Sequence, residues 1–314
     1  MAIKQPIKYL DPLVVSKLKN IEIKAKLIVE GFITGMHRSP YHGFSVEFAE
    51  HRAYNPGESL RNIDWKVYGK TDKLYSKRYE EETNLRCQVV LDVSDSMRYP
   101  QPGPNVTTLT KLEYGAYLAA ALQYLMIGQR DAAGLTLFDE DITFSLPAKA
   151  KFTWMLPMFK ELEKVANTTE FFTSKTAAAP VLHKVAMKFQ RRSFVVLITD
   201  LISDVDKLDE VFKAMQHLRH AKHEVLVFHL LDKKTEEDFE FPNRPIILRD
   251  LESGEKLEVH PSQIKNEYQG LMKEYKARFK QKCYELNIDL IAVDINTPYD
   301  KVLTDYLVKR SKLK

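Results

Sequence analysis

Val89-Val90-Leu91-Asp92-Val93-Ser94-Asp95-Ser96-Met97 is the stretch from which the rest of the chain is read. Cys87 to Leu91 is a short β-branched and aliphatic run, the pattern of a strand buried on both faces of a parallel sheet. It ends abruptly in an acid and two hydroxyls at alternate positions. Asp92 is therefore expected at the carboxyl end of a strand, where open α/β sheets bind their ligands. Asp92, Ser94 and Ser96 would share one loop, and a carboxylate with two hydroxyls is an oxygen-only set suited to Mg²⁺ or Mn²⁺ rather than to zinc. The plainer alternative is a capped strand-to-helix turn, since Asp and Ser are common turn residues.

A second strand-like run weighs against that alternative. Ser193-Phe194-Val195-Val196-Leu197-Ile198-Thr199 also stops at an acid, Asp200. Two such strands would bring their acids together. Between them, Thr173 to Leu182 is a hydroxyl-rich loop that opens an apolar helix running to about Gln190. Asp-x-Ser-x-Ser, a Thr just before a helix, and Thr-Asp after a hydrophobic strand together resemble the metal-ion-dependent adhesion site of von Willebrand factor A domains. Position by position, that resemblance implies Asp92, Ser94, Ser96, Thr176 and Asp200 as the ligand set, with Thr173 an alternative to Thr176.

The composition is that of an ordinary globular chain: 314 residues, 44% hydrophobic and 29% charged, enough for a full core in one large domain or two smaller ones. No apolar stretch approaches the ~20 residues that a bilayer demands. Met1 to Leu10 lacks the apolar core of a signal peptide, so the cytoplasm is the expected location. Cys87 and Cys283 stand in no knuckle spacing and are expected as reduced core thiols. Up to Arg86 there are 15 Lys plus Arg against 11 Asp plus Glu, which carries the whole net charge of +4. The acids are interleaved with the bases, so this is a mixed surface and not a nucleic-acid stripe.

From Cys87 onward strands and helices alternate, which predicts a doubly wound, mostly parallel α/β sheet. Helices are expected over Lys111–Ile127, Thr153–Val165, Val205–His220 and Gln263–Leu286, with a last one after Pro298. Strands are expected over Ala132–Phe138, Asp141–Leu146, Glu224–Leu231 and Ile288–Val293, and a hairpin over Pro245–Val259 turning at Ser253-Gly254. Ahead of them, Asp11-Pro12 opens a short helix to about Lys19, Glu22–Phe32 reads as a second, and Phe44–Tyr54 and Lys73–Glu82 alternate as half-exposed strands. The division expected is an α+β extension over 1–84 packed on a von Willebrand A-like domain over 85–314.

Phe48 to Tyr68 reads Phe-Ala-Glu-His-Arg-Ala-Tyr-Asn-Pro-Gly-Glu-Ser-Leu-Arg-Asn-Ile-Asp-Trp-Lys-Val-Tyr, and Arg78-Tyr79-Glu80-Glu81-Glu82 follows. With the Asp-x-Ser-x-Ser-Met motif after it, this ordered series resembles a bacterial family encoded beside MoxR-type AAA+ ATPases, over roughly Gly35 to Val293. One departure is Gly57-Glu58-Ser59, where that family has Gly-Asp followed by another acid. The resemblance implies a non-enzymatic, Mg²⁺-dependent protein-binding module. Its partner would be the MoxR-type ATPase or a client that the ATPase remodels, with an acidic residue of that partner completing the metal site. Within the segment, Arg52, Arg61 and Asp64 can form guanidinium–carboxylate pairs and Tyr54 and Trp65 offer faces to stack on, read as a clasp holding the N-terminal part to the sheet or as a partner-binding cluster.

Other chemistry is less well supported by the residues. A metal-dependent hydrolase or phosphotransfer enzyme using Asp92 and Asp200 is the alternative, but phosphoryl transfer to an aspartate of this kind needs an acid two residues on, where Ser94 stands. No Gly-x-Ser-x-Gly elbow and no Gly-rich phosphate loop is present. Asp95 is expected to face solvent. His217, His220 and His223 suggest zinc by spacing, yet no carboxylate or thiolate sits at ligand spacing beside them, and histidines near a helix end complement its dipole.

Overall fold

The computed structural model describes residues 12–18, 20–36, 51–53, 65–73, 75–77, 85–101, 109–168, 178–201, 208–251 and 254–311. In chain order the first elements are α1 (Pro12–Ser16), α2 (Ile21–Met36), β1 (His51–Ala53), α3 (Trp65–Thr71) and β2 (Tyr75–Lys77). The sheet region follows with β3 (Arg86–Asp92), α4 (Lys111–Gly128), β4 (Ala132–Phe138), β5 (Ile142–Lys149), α5 (Met155–Asn167), α6 (Ala178–Lys188), β6 (Phe194–Thr199), α7 (Leu208–His220) and β7 (Glu224–Leu231). Last come β8 (Ile246–Arg249), β9 (Lys256–Val259), α8 (Pro261–Glu285), β10 (Asp289–Asp294) and α9 (Tyr299–Ser311).

Among the described residues six strands make the central sheet, in the order β10-β7-β6-β3-β4-β5. All neighbours run parallel except β5, which returns antiparallel beside β4 across the Asp139-Glu140 turn. The period-two alternation of each strand sorts its side chains onto two faces. Val89, Leu91, Leu135, Ile198 and Phe228 bury on one side beneath α2, α4, α5 and α9. Val90, Phe138, Val195, Leu197 and Val227 bury on the other beneath α6, α7 and α8. The mixed α/β class and the largely parallel sheet expected from the alternating runs are thus present.

Helix α4 carries an apolar run from Ala116 to Leu122 that is buried throughout, so no amphipathic stripe marks it. Its start is fixed by Thr110, whose hydroxyl accepts from the Glu113 N–H at 3.0 Å while the Glu113 carboxylate accepts from the Thr110 N–H at 2.9 Å. This reciprocal cap holds the next residue, Lys111, at one defined place. On the outer side α2 lies along α4, where Lys24 Nζ donates to Tyr117 Oη at 2.8 Å and sits 4.0 Å above the ring. Burial lowers the Lys24 pKa.

The structure departs from expectation at several places. Helix α3 was hidden by Val67 and Gly69, both poor helix formers. Helix α2 continues to Met36, past the expected end at Phe32. Of the expected strand Phe44–Tyr54, the described part is β1, paired antiparallel with β2. The turn after β7 is a π-helical one, Lys233–Glu237, which no hydrophobic period announces. Cys87 and Cys283 are buried thiols outside any disulfide, as expected.

Candidate functional site

Strands β3 and β6 are neighbours, so the two acid-terminated runs end side by side at the carboxyl edge of the sheet. Asp92 is fully buried, and its carboxylate accepts three hydrogen bonds: from the Ser94 N–H at 3.0 Å, the Ser94 hydroxyl at 2.7 Å and the Thr199 hydroxyl at 2.7 Å. The Ser94 and Ser96 hydroxyls lie 3.1 Å apart, and Ser96 Oγ is 3.2 Å from Asp200 Oδ1. Asp92, Ser94, Ser96 and Asp200 therefore form one continuous series of oxygen atoms, an open ring with the two acids at its ends. Thr176, with the alternative Thr173, lies outside the described residues.

The donors in this ring fall short of its acceptors. Ser94 spends its single hydroxyl hydrogen on Asp92, so Ser96 must divide its own between Ser94 and Asp200. Burial, and then the neighbouring Asp200 carboxylate, push the Asp92 pKa up to about 7. A buried acid pair that repels in this way is stabilised by any cation that reaches both groups.

A cation built into the chain meets one member of that pair, Asp200. Lys111, only 1% exposed, places Nζ 2.7 Å from Asp200 Oδ2 and 2.7 Å from Glu236 Oε1. Burial alone would lower the Lys111 pKa, but the attraction of Asp200 and Glu236 outweighs it and the net direction is upward. Glu236 belongs to the π-helical turn, where its other oxygen accepts from the Asp232 N–H at 2.7 Å. Tyr99 closes the far side, donating to Thr235 at 2.6 Å with its ring 5.6 Å from the ammonium.

The backbone at the second acid is bent and buttressed. Leu201 has φ +41°, a left-handed conformation that a branched side chain rarely adopts. Its N–H donates to Thr199 Oγ1 at 3.2 Å and its carbonyl accepts from Tyr275 Oη. The Asp200 carbonyl accepts from His229 Nε2 at 2.6 Å, which fixes that nitrogen as the protonated one. Burial drives the His229 pKa down to about 4, so the ring is neutral there.

The expectation that Asp95 faces solvent is corrected. Asp95 is 1% exposed, because the chain after Ser94 tightens into a 3₁₀ turn, Asp95–Arg98, that carries it inward. There it accepts from Arg98 Nε at 3.1 Å, and Arg98 donates onward to the Thr168 carbonyl at 2.6 Å. It does not join the oxygen ring. Of the N-terminal cluster, Tyr54, Arg61 and Asp64 lie outside the described residues, and so do the side chains of Arg52 in β1 and Trp65 at the start of α3. Thr199, Lys111, Glu236 and His229 went unnoticed as site residues. Only Thr199 carried a signal, sitting one residue before the second acid.

Among the described residues, no group of three or more His, Cys, Asp or Glu side chains is arranged to hold a metal ion, and no helix is long and apolar enough to cross a membrane. The oxygen ring stands apart from the first statement because two of its four members are serines.

Comparison with known proteins adds kinship. The chain is 24% identical over 247 residues to the uncharacterized protein Rv1480 of Mycobacterium tuberculosis and, equally, to the uncharacterized protein Mb1516 of Mycobacterium bovis, covering 78% of this chain and 73% of each relative. Among solved structures it is similar to the conserved hypothetical protein BatB of Bacteroides thetaiotaomicron, with 14% identity, a TM-score of 0.41, and coverage of 73% of this chain and 99% of that one. A family model described as "Protein of unknown function DUF58" matches residues 50–278, which is most of the length, and the chain belongs to that family.

Proposed function

We propose that the chain is a protein-binding module of von Willebrand A-like type whose Asp92, Ser94, Ser96 and Asp200 hold a Mg²⁺ ion, with Thr176 or Thr173 as a further ligand. The observation that carries this reading is the ring itself: two carboxylates and two hydroxyls from adjacent strand ends, hydrogen-bonded in sequence at 2.7–3.2 Å. The donor set fits a hard cation, being oxygen-only and short of hydrogens. When bound, such an ion supplies a positive charge with an open coordination position for a carboxylate of the partner.

The residues divide the work. Asp92 is braced by Thr199 and by the Ser94 amide, so its orientation is set before any ion enters. Ser94 and Ser96 offer neutral oxygens, which leave most of an ion's charge available to a partner acid. Asp200 is held from behind by Lys111 through one oxygen, leaving Oδ1 toward the ring. The partner proposed is a MoxR-type AAA+ ATPase or a client it remodels, in chaperone-like maturation or assembly of other proteins. This rests on the ordered motif series from Phe48 to Met97.

A pull-down from native lysate with the full chain as bait, in Mg²⁺ and again in EDTA, tests the reading. The same partner should be captured in the first case and lost in the second. Capture that ignores EDTA, or that survives Asp92→Ala, rejects it.

The second reading, phosphoryl transfer, draws on one feature, the ammonium of Lys111 hydrogen-bonded to an acid at the strand end. Against it, that ammonium is already shared between Asp200 and Glu236 and is shut away from solvent. Turnover of p-nitrophenyl phosphate, abolished by Asp92→Asn, would favour it over binding.

A further inference from the structure

We propose that His183 and His217 form a transition-metal site, separate from the strand-end ring, that takes copper(II). The two rings come from different helices, α6 and α7, and approach Nδ1 to Nδ1 at 3.1 Å with ring centroids 5.3 Å apart and planes tilted by 45°. Both side chains are half-buried on the outer side of the helix layer. At metal–nitrogen distances of roughly 2.0–2.1 Å, a 3.1 Å nitrogen separation subtends about 100° at an ion placed between them. That angle lies between the cis angle of a square-planar ion, about 90°, and the tetrahedral angle of about 109°.

A groove adjoins the pair on the His217 side. Met187 is one helical turn beyond His183, hence on the same face of α6. It is 71% exposed and lines a groove together with His217 and with His220, which follows His217 by three residues on α7. Two imidazole nitrogens, with no carboxylate lining the adjoining groove, favour copper over magnesium or calcium. Among divalent first-row ions copper(II) binds nitrogen sites most tightly, so it is the ion expected to win.

The spacing of His217, His220 and His223 makes no site of its own, because the third member turns away. His223 is buried, with Nδ1 accepting from the Ser193 N–H at 3.3 Å. The missing partner is supplied instead by a residue 34 positions upstream. Arg191 and Lys222 also line the groove. Both are exposed to solvent, so their repulsion of a cation is screened by water and salt. Their charge also suits an anion or hydroxide completing the coordination of a doubly charged ion.

The test is titration of the metal-stripped full chain with CuCl₂ in the presence of excess Mg²⁺, which keeps the strand-end site out of competition. Calorimetry should show one copper per chain, and electron paramagnetic resonance should show coupling to at least two nitrogens. His183→Gln and His217→Gln should each weaken binding at least tenfold and reduce the number of coupled nitrogens, while Asp92→Asn should leave copper affinity unchanged. Circular dichroism of each variant checks that α6 and α7 persist, and a His220→Gln variant should lose less than either. Absence of copper binding to the wild type, or binding that persists in the His183→Gln/His217→Gln double variant, overturns the proposal.

Discussion

Lys111→Met is the most informative single change in this molecule. Methionine keeps the length and volume of the lysine stem, so the buried α4 start loses a charge and little packing. What remains is Asp200 between two further carboxylates, Asp92 and Glu236, without the ammonium that stood 2.7 Å from Asp200 and Glu236. Removing one partner of a buried ion pair costs about 3–5 kcal/mol, because the charge left behind is neither solvated nor paired. At the size of this chain that is a fall in melting temperature of roughly 5–8 °C. In EDTA the full loss should appear. In Mg²⁺ the variant should recover more than the wild type gains, since an ion bound to Asp200 no longer competes with a neighbouring positive charge; saturation at about a hundred times Kd adds about 2.7 kcal/mol. Differential scanning calorimetry of both proteins, with EDTA and then with a Mg²⁺ series, measures all four quantities. A variant that melts with the wild type in EDTA would show that Lys111 neutralises nothing that matters. A Mg²⁺ gain no greater than the wild type's would show that the ion does not meet Asp200, and the reasoning about the ring would fall.

Other outcomes follow from the same geometry. Because burial holds the His229 pKa near 4 against an unfolded value near 6.5, the unfolded chain binds the extra proton first. Stability from this group is complete above about pH 6.5 and drains away as pH falls toward 4, by about 3 kcal/mol in all; His229→Gln should flatten that part of a denaturant-midpoint profile, and an unchanged profile would count against the buried neutral ring. Gly134→Ala should destabilise by several kcal/mol, since an added Cβ would stand 1.9 Å from Gln88 Oε1 and 2.7 Å from the Ala148 nitrogen; Gln88→Ala in the same background should restore part of the loss in urea titrations. Asp92→Asn should abolish Mg²⁺ binding by calorimetry while leaving the EDTA melting temperature within a few degrees, because the amide oxygen still accepts from Ser94 and the Thr199 hydroxyl can turn to accept in its place.

How far the sequence could be read depended on whether a residue's role was local. Strands β3, β4, β6 and β7 were plain because a strand buried on both faces must be apolar along its whole length, and Asp92 and Asp200 stood out as the points where that rule breaks. Ser94 and Ser96 followed, since they sit on the loop that Asp92 begins. Lys111 did not, because a lysine at the first turn of an apolar helix reads as a solvated end. Only the crossing of α4 over the sheet brings it to acids 89 and 125 residues downstream. Glu236 escaped for the same reason, in a charged run, Lys233–Glu237, that looks like any surface loop. Asp95 was misread because alternation along an extended chain points it outward, whereas the 3₁₀ turn rotates it into the protein. Histidine spacing along α7 was visible, but the residue that faces His217 comes from another helix, and no linear pattern reports that.

The tethered ammonium has a consequence for the life history of the chain. Acid clusters that await a dissolved ion leave a protein half-made until the ion arrives, and tie its abundance to mineral supply. Here a covalently attached positive charge lies against Asp200 as soon as α4 crosses β6, and the reciprocal cap at Thr110 and Glu113 sets where that crossing begins. Completion of the fold is thereby uncoupled from ion uptake. On the proposed reading, an ion entering afterwards would act on a finished molecule, and could be exchanged or withdrawn without sending the chain back through unfolding.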